Sequence, residues 1–134
     1  MLHNLALASR LFRAGAMAVI AIALPVSALA ADAAKEAATS GMHAGLAAKA
    51  AAIEQVHMHL HHAVNCLVGP KGQGFDAKEA NPCQALGDGA ISDATDPAMK
   101  AKLTAALARA QAGLKAADLA AAQKAAAETE AALK

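Results

Sequence analysis

The sequence predicts an all-α protein: a small helical bundle of three main helices, four if the first one breaks, with one long disulfide-pinned loop. Three observations carry this. Alanine, the best helix former, fills about a third of residues 31–134. The larger apolar residues recur at helical spacing in stretches free of internal proline. Five glycines and two prolines are gathered between those stretches, in residues 69–96.

Residues 1–30 read as a cleavable secretory signal. Arg10 and Arg13 make a positive start with no acid beside them. Residues 14–26 carry no charge, and Ala28 and Ala30 put small side chains before a cut after Ala30. These are the three parts of an export signal. The uncharged run is shorter than the roughly 20 apolar residues that span a bilayer. No cysteine directly follows it, so a lipoprotein anchor is not indicated. The expected location is the periplasm, with no stable membrane anchor after signal cleavage.

Ten of the twelve basic residues and all eleven acids lie beyond residue 30. The formal charge therefore changes from +1 for the whole chain to −1 for residues 31–134. A near-neutral domain has no electrostatic footprint for nucleic acid or for anionic lipid. Phe75 is the one aromatic residue in this part. Low net charge and abundant alanine point to thin, close-packed helices rather than disorder. The core must be small, which calls for a staple and is compatible with a homodimer.

Cys66 and Cys83 are the only two cysteines. In an exported protein such a pair reads first as a structural disulfide. Closing a loop of that length is worth roughly 3 kcal/mol in the chain-entropy model. A thiolate metal site and a redox pair are the alternatives. The spacing is far wider than CxxC, and no four-ligand pattern accompanies it.

Along the chain, the first helix is expected over about 33–68. Leu46, Ile53, Val56, Leu60, Val64 and Leu67 fall on one helical face. Gly41 and Gly45 weaken its early part, so a break or fraying is expected there. Gly69 and Pro70 end it. Residues 69–96 form the loop, which is long for a compact domain; pinning by Cys83 makes it tolerable, and a short helical turn is expected near 83–86. Asp96 and Pro97 open the next helix as N-cap and first-turn proline. It is expected over about 97–112, with Met99, Leu103, Leu107 and Ala110 on its buried side and Gly113 interrupting it. A last helix over about 118–133 turns Leu119, Ala122, Ala126 and Leu133 inward. One continuous helix over 97–133 is the alternative.

The chemistry is concentrated at His57, His59, His61 and His62. Turning about 100° per residue, Glu54, His57, Met58 and His61 form one patch bordering the apolar stripe. His57 and His61 have the i,i+4 spacing that lets two imidazoles reach one ion, as in HExxH helices. The HExxH motif itself is absent, so a zinc-protease reading fails. His59 and His62 lie on the other side, near Cys66, as a second and weaker pair. His43 is 18 residues from His61, roughly 27 Å along a straight helix. It stays outside the site unless the helix breaks at Gly45. The expected metal set is thus His57, His61, Met58, His62 and Glu54. Imidazole suits Cu, Zn and Ni, and a thioether adds a preference for Cu(I). The plain alternative is that each histidine is a satisfied polar residue at a helix border, and clustered histidines can also sense pH.

The segment from His61 to Cys83 reads HHAVNCLVGPKG, then Phe75-Asp76, then Asn81-Pro82-Cys83. It resembles small exported proteobacterial proteins that share an HHxxNCLxGPxG…FD…NPC arrangement and carry no assigned activity. The match covers about a third of residues 31–134. The helical, histidine-bearing character is more loosely similar to periplasmic small metal-binding proteins. Those carry histidines in all their helices, whereas here the later helices have none.

The functional expectation is a periplasmic transition-metal binder of copper type. The alternative is a structural or protein-interaction module that uses the Cys66–Cys83 loop to meet a periplasmic partner. An enzyme is not expected: there is no nucleophile motif, no phosphate loop for a nucleotide and no evident carboxylate pair for acid–base work. Haem is not expected either, since CxxCH is absent.

Overall fold

The computed structural model describes residues 31–134. The expected export signal, residues 1–30, lies outside the described residues. Among the described residues the chain is all-helical, with no strand. The helices are α1 (Ala33–Lys49), α2 (Ile53–Val68), α3 (Ala90–Asp93), α4 (Pro97–Lys115) and α5 (Leu119–Leu133). Cys66 and Cys83 form a disulfide. No helix among the described residues is long and apolar enough to cross a membrane.

The expected helix over 33–68 is two helices, and the break comes at residues 50–52 rather than at the glycines. Ser40 Oγ donates to the Ala63 carbonyl at 2.9 Å, and His43 meets His59, so α2 runs back along α1. The turn contains only alanine, and no glycine or proline announces it. Its ends are nonetheless marked by charge. Lys49 sits in the last turn of α1 and Glu54 in the first turn of α2, the signs that helix dipoles favour. Gln123 of α5 donates to the Ala50 carbonyl at 2.8 Å, which satisfies a backbone group the break leaves free.

Gly41 and Gly45 do not fray α1, and Gly113 does not interrupt α4. They mark close crossings instead. A Cβ at Gly45 would come within 3.0 Å of the Glu130 carboxyl on α5, and one at Gly113 within 2.6 Å of Leu60 on α2. Small side chains let these helices approach, which is how an alanine-rich chain fills space without large residues.

Three helices begin as their residues dictate. Asp32, Asp96 and Asp118 each accept a hydrogen bond from a backbone N–H three residues on, at 3.0, 2.9 and 2.8 Å. Each such cap is worth about 1 kcal/mol. The core is built from Val56, Leu60, Val64 and Leu67 of α2, Leu103 and Ala106 of α4, and Ala122 and Ala126 of α5, with Ala37 and Ala47 of α1. Leu46, expected on the buried stripe, is 45 % exposed. The break resets the helical phase between α1 and α2, so Leu46 no longer shares a face with Ile53.

The segment after α2 is held by one buried side chain. Asn65 Nδ2 donates to the carbonyls of Asp76, Ala80 and Glu79 at 2.9, 3.1 and 3.4 Å, and its Oδ1 accepts from the Asp76 N–H at 2.9 Å. Where a short helical turn is expected, near 83–86, the chain makes a hydrogen-bonded turn but no helix, with the Leu86 N–H donating to the Cys83 carbonyl at 2.8 Å. The Asp32 N–H then donates to the Leu86 carbonyl, tying the segment to the start of α1.

Candidate metal centre

The antiparallel pairing of α1 and α2 creates a histidine cluster that neither helix holds alone. His43 comes from α1, and His59 and His62 come from α2, one turn apart. One nitrogen from each lies within 4.8 Å of the other two. The Nδ1 atoms of His43 and His59 are 3.5 Å apart. The three ring centroids form a triangle with sides of 5.1, 5.7 and 5.8 Å.

These distances suit a shared ion. Two imidazole nitrogens at 2.0–2.1 Å from a tetrahedral metal stand about 3.3 Å apart. The gap of 3.5 Å is close to that separation, and is long for a good hydrogen bond. All three residues are half-buried. A cluster of this kind is shielded enough to favour neutral rings and open enough to admit an ion.

The electrostatics agree. Burial, together with the neighbouring His62 and His59, holds the His43 pKa below the usual 6.5. Burial also lowers that of His62, with His59 and His61 adding to it and Glu79 opposing it. Both rings are therefore held in the neutral form that ligates metals.

An outer carboxylate completes the arrangement. His62 Nε2 faces Glu79 Oε2 at 3.6 Å, and His62 Nδ1 is buried with no hydrogen-bond partner. At 3.6 Å this is an approach rather than a hydrogen bond; drawn in to bonding distance, the carboxylate would fix the tautomer and leave the other nitrogen for a metal. Glu79 arrives on the segment that Asn65 organises, and the segment is anchored by Cys83. His62 lies four residues before Cys66 and Glu79 four residues before Cys83, so the disulfide sits beside the His62–Glu79 pair.

Of the five residues expected to hold metal, only His62 enters this cluster. His61 faces Asp76 instead, with Nδ1 3.6 Å from Oδ2. His57 is half-buried with an unpartnered Nε2. Glu54 is exposed, and Met58 is 37 % exposed. Among the described residues, His57, His61 and Glu54 enter no cluster of three histidine, cysteine or carboxylate groups close enough to share an ion. His59 was visible as the weaker partner of His62, and His43 is the residue that helical geometry set aside. The separation of roughly 27 Å assumed a straight helix; folding back at 50–52 brings His43 onto His59.

No protein-family model, no curated protein and no solved structure matches the chain.

Proposed function

We propose that this is an exported, periplasmic small protein that binds one late first-row transition-metal ion through His43, His59 and His62. The observation that supports it most is the 3.5 Å approach of two Nδ1 atoms from different helices, with a third imidazole within 4.8 Å. An all-imidazole set suits Cu(II), Zn(II) and Ni(II). Three protein ligands leave a fourth position for water or an incoming donor, as in a carrier rather than a closed structural site. Glu79 orients His62 from behind. With Met58 outside the ligand set, copper stays first among these because N-donor sites bind Cu(II) more tightly than Ni(II) or Zn(II). The likeness of the His61 to Cys83 segment to small exported proteobacterial proteins supports the same location.

The architecture fits that role. In this reading α1, α2, α4 and α5 form a four-helix bundle, and the segment pinned by Cys66–Cys83 is a loop that carries Glu79 to the site. A carrier of this kind is not an enzyme and takes no haem or nucleotide.

The test is calorimetric titration with Cu(II), Zn(II) and Ni(II). One ion should bind with micromolar affinity or better. His43→Ala should weaken it at least tenfold, and the double variant His57→Ala/His61→Ala should leave it within threefold. No saturable binding, or loss of binding only in the double variant, refutes the assignment.

A second reading is a protein-interaction module. It is favoured by a groove of about 800 Å³ between residues 72–74, α3 and α4, with an apolar floor that includes Val64, Val68 and Leu107, and with Lys100 and Lys115 at its edge. A defined periplasmic partner that is retained when residues 72–74 are replaced would remove the groove from that role.

A further inference from the structure

Glu36 is a charged residue type in a place where charge is unwelcome. It lies in the first turn of α1 and is completely buried. Its Oε1 accepts from the Gly89 N–H at 3.0 Å. Its Oε2 is buried and receives no donor. The groups facing it are acidic: Asp93 of α3, whose Oδ2 borders the same Gly87 Cβ position as Glu36 Oε1, and Asp88 of the preceding turn. Asp88 itself pairs with Lys71 at 3.6 Å. Asp93 Oδ2 accepts from the Asp88 N–H at 2.7 Å.

Burial and the facing acidic groups both disfavour the charged form of Glu36, so Glu36 holds its proton. The orphaned Oε2 is the atom that would carry it. The turn at 87–89 is shaped around the pair. Any Cβ at Gly87 would collide with Asp93 Oδ2 and crowd Glu36 Oε1. Gly89 has φ +114°, a conformation that other residues rarely adopt, and it aims its N–H at Glu36.

We infer that Glu36, facing Asp93, is a proton-held latch that fastens α3 and the 87–89 turn to α1 and loosens when the Glu36 proton leaves. The latch is separate from the histidine cluster and does not depend on metal binding. Its consequence is local. Ile91 and Ser92 of α3 form one wall of the 800 Å³ groove, so loosening the latch changes that groove's shape. The chemistry is a single proton transfer: Glu36 Oε2–H gives its proton to solvent and two facing carboxylates remain.

Burial and the facing acids raise the Glu36 pKa from 4.5 to about 7. A raised carboxyl pKa means that the closed state binds the proton more tightly than the open state. Opening is therefore rarest below pH 4.5, rises tenfold per pH unit between 4.5 and about 7, and levels off above.

Amide hydrogen exchange on the protein as isolated reads this directly. The reporters are the N–H groups of Asp88, Gly89, Asp93 and Ala94, with rates corrected for intrinsic pH dependence. Their protection should fall tenfold per unit through that window, a few hundredfold in all, while protection in α4 follows no such course. Glu36→Gln keeps an acceptor for Gly89 and offers an N–H to Asp93 but cannot ionise, so its protection should stay flat with pH. Asp93→Asn gives Glu36 a donor in place of a repelling carboxylate, so the upper end of the window should move down by at least one unit. Flat protection in the unaltered protein, or an equal fall in Glu36→Gln, overturns the latch. Should Glu36→Gln fail to fold, an unmoved window in Asp93→Asn overturns it as well.

Discussion

The Nδ1 atoms of His43 and His59 stand 3.5 Å apart, although 16 residues separate them in the chain. That approach exists because α1 and α2 fold against each other at three alanines. Ser40 bonded to the Ala63 carbonyl sets the register that aligns the two histidines. The candidate site is thus a property of the helix pairing, and its stability is tied to the fold's.

Asn65 should be the most sensitive polar position outside the site. It is completely buried and bonds to backbone groups of Asp76, Glu79 and Ala80. Asn65→Ala leaves those groups without their partner, at a cost of about 2–4 kcal/mol. Urea unfolding should show a lower midpoint by that measure. Because Glu79 rides on the same segment, metal affinity should fall too.

Glu79→Ala tests the outer carboxylate separately. Removing it frees the His62 ring to rotate and lowers ligand basicity. Loss of such a partner typically weakens metal binding about 10–100-fold. Stability of the metal-free protein should change little, since Glu79 is partly exposed. Calorimetric titration beside a thermal melt separates the two.

Gly113→Ala places a Cβ 2.6 Å from Leu60 Cδ1 and 3.2 Å from the Ala125 Cβ. The gain in helix propensity, about 1 kcal/mol, is outweighed by overpacking of about 1–3 kcal/mol. The variant should be less stable. Leu60→Val should recover part of that loss in the double variant, and a double-mutant cycle would show the coupling.

Cys66 and Cys83 are both buried, at 0 % and 1 % exposure. Mild thiol reductant should leave the disulfide intact in the native protein and cleave it once denaturant is added. Thiol labelling after quench reads the difference. The reduced protein should be less stable by roughly 3 kcal/mol.

The pH dependence of stability should have two opposing arms. Glu36, with a raised pKa, contributes stability that is full below 4.5 and lost as pH rises toward about 7. His43 and His62, with lowered pKa values, contribute stability that is present above 6.5 and lost as pH falls below it. In Glu36→Gln only the histidine arm remains. Its melting temperature should rise with pH between 5 and 7, more steeply than that of the unaltered protein.

Much of the fold was legible in the residues. Helical spacing of Val56, Leu60, Val64 and Leu67 marked the buried face of what is α2, though not its start, and Asp96-Pro97 marked the start of α4. The pair of cysteines read correctly as a disulfide. The break at residues 50–52 was hidden because alanine favours helix continuation, and only tertiary packing, with Gln123 holding the Ala50 carbonyl, opposes it. Glycine misled for the converse reason: at Gly41, Gly45 and Gly113 it serves neighbouring helices rather than the chain's own bending. The histidine patch followed from this. On one straight helix His57 and His61 are the natural pair, and His43 is too distant. Once the helix folds back, the third histidine of the cluster comes from across the turn. The Glu36–Asp93 pair was equally hidden, since 57 residues separate two acids that no local motif connects.

The most direct measurement of the central claim is an anomalous difference map from crystals of the protein grown with Cu(II) or Zn(II), recorded at the metal's absorption edge. The account predicts one dominant peak about 2.0–2.1 Å from a ring nitrogen of each of His43, His59 and His62, with Glu79 behind His62. A dominant peak at His57 and His61, or no peak at the cluster at saturating metal, would contradict it.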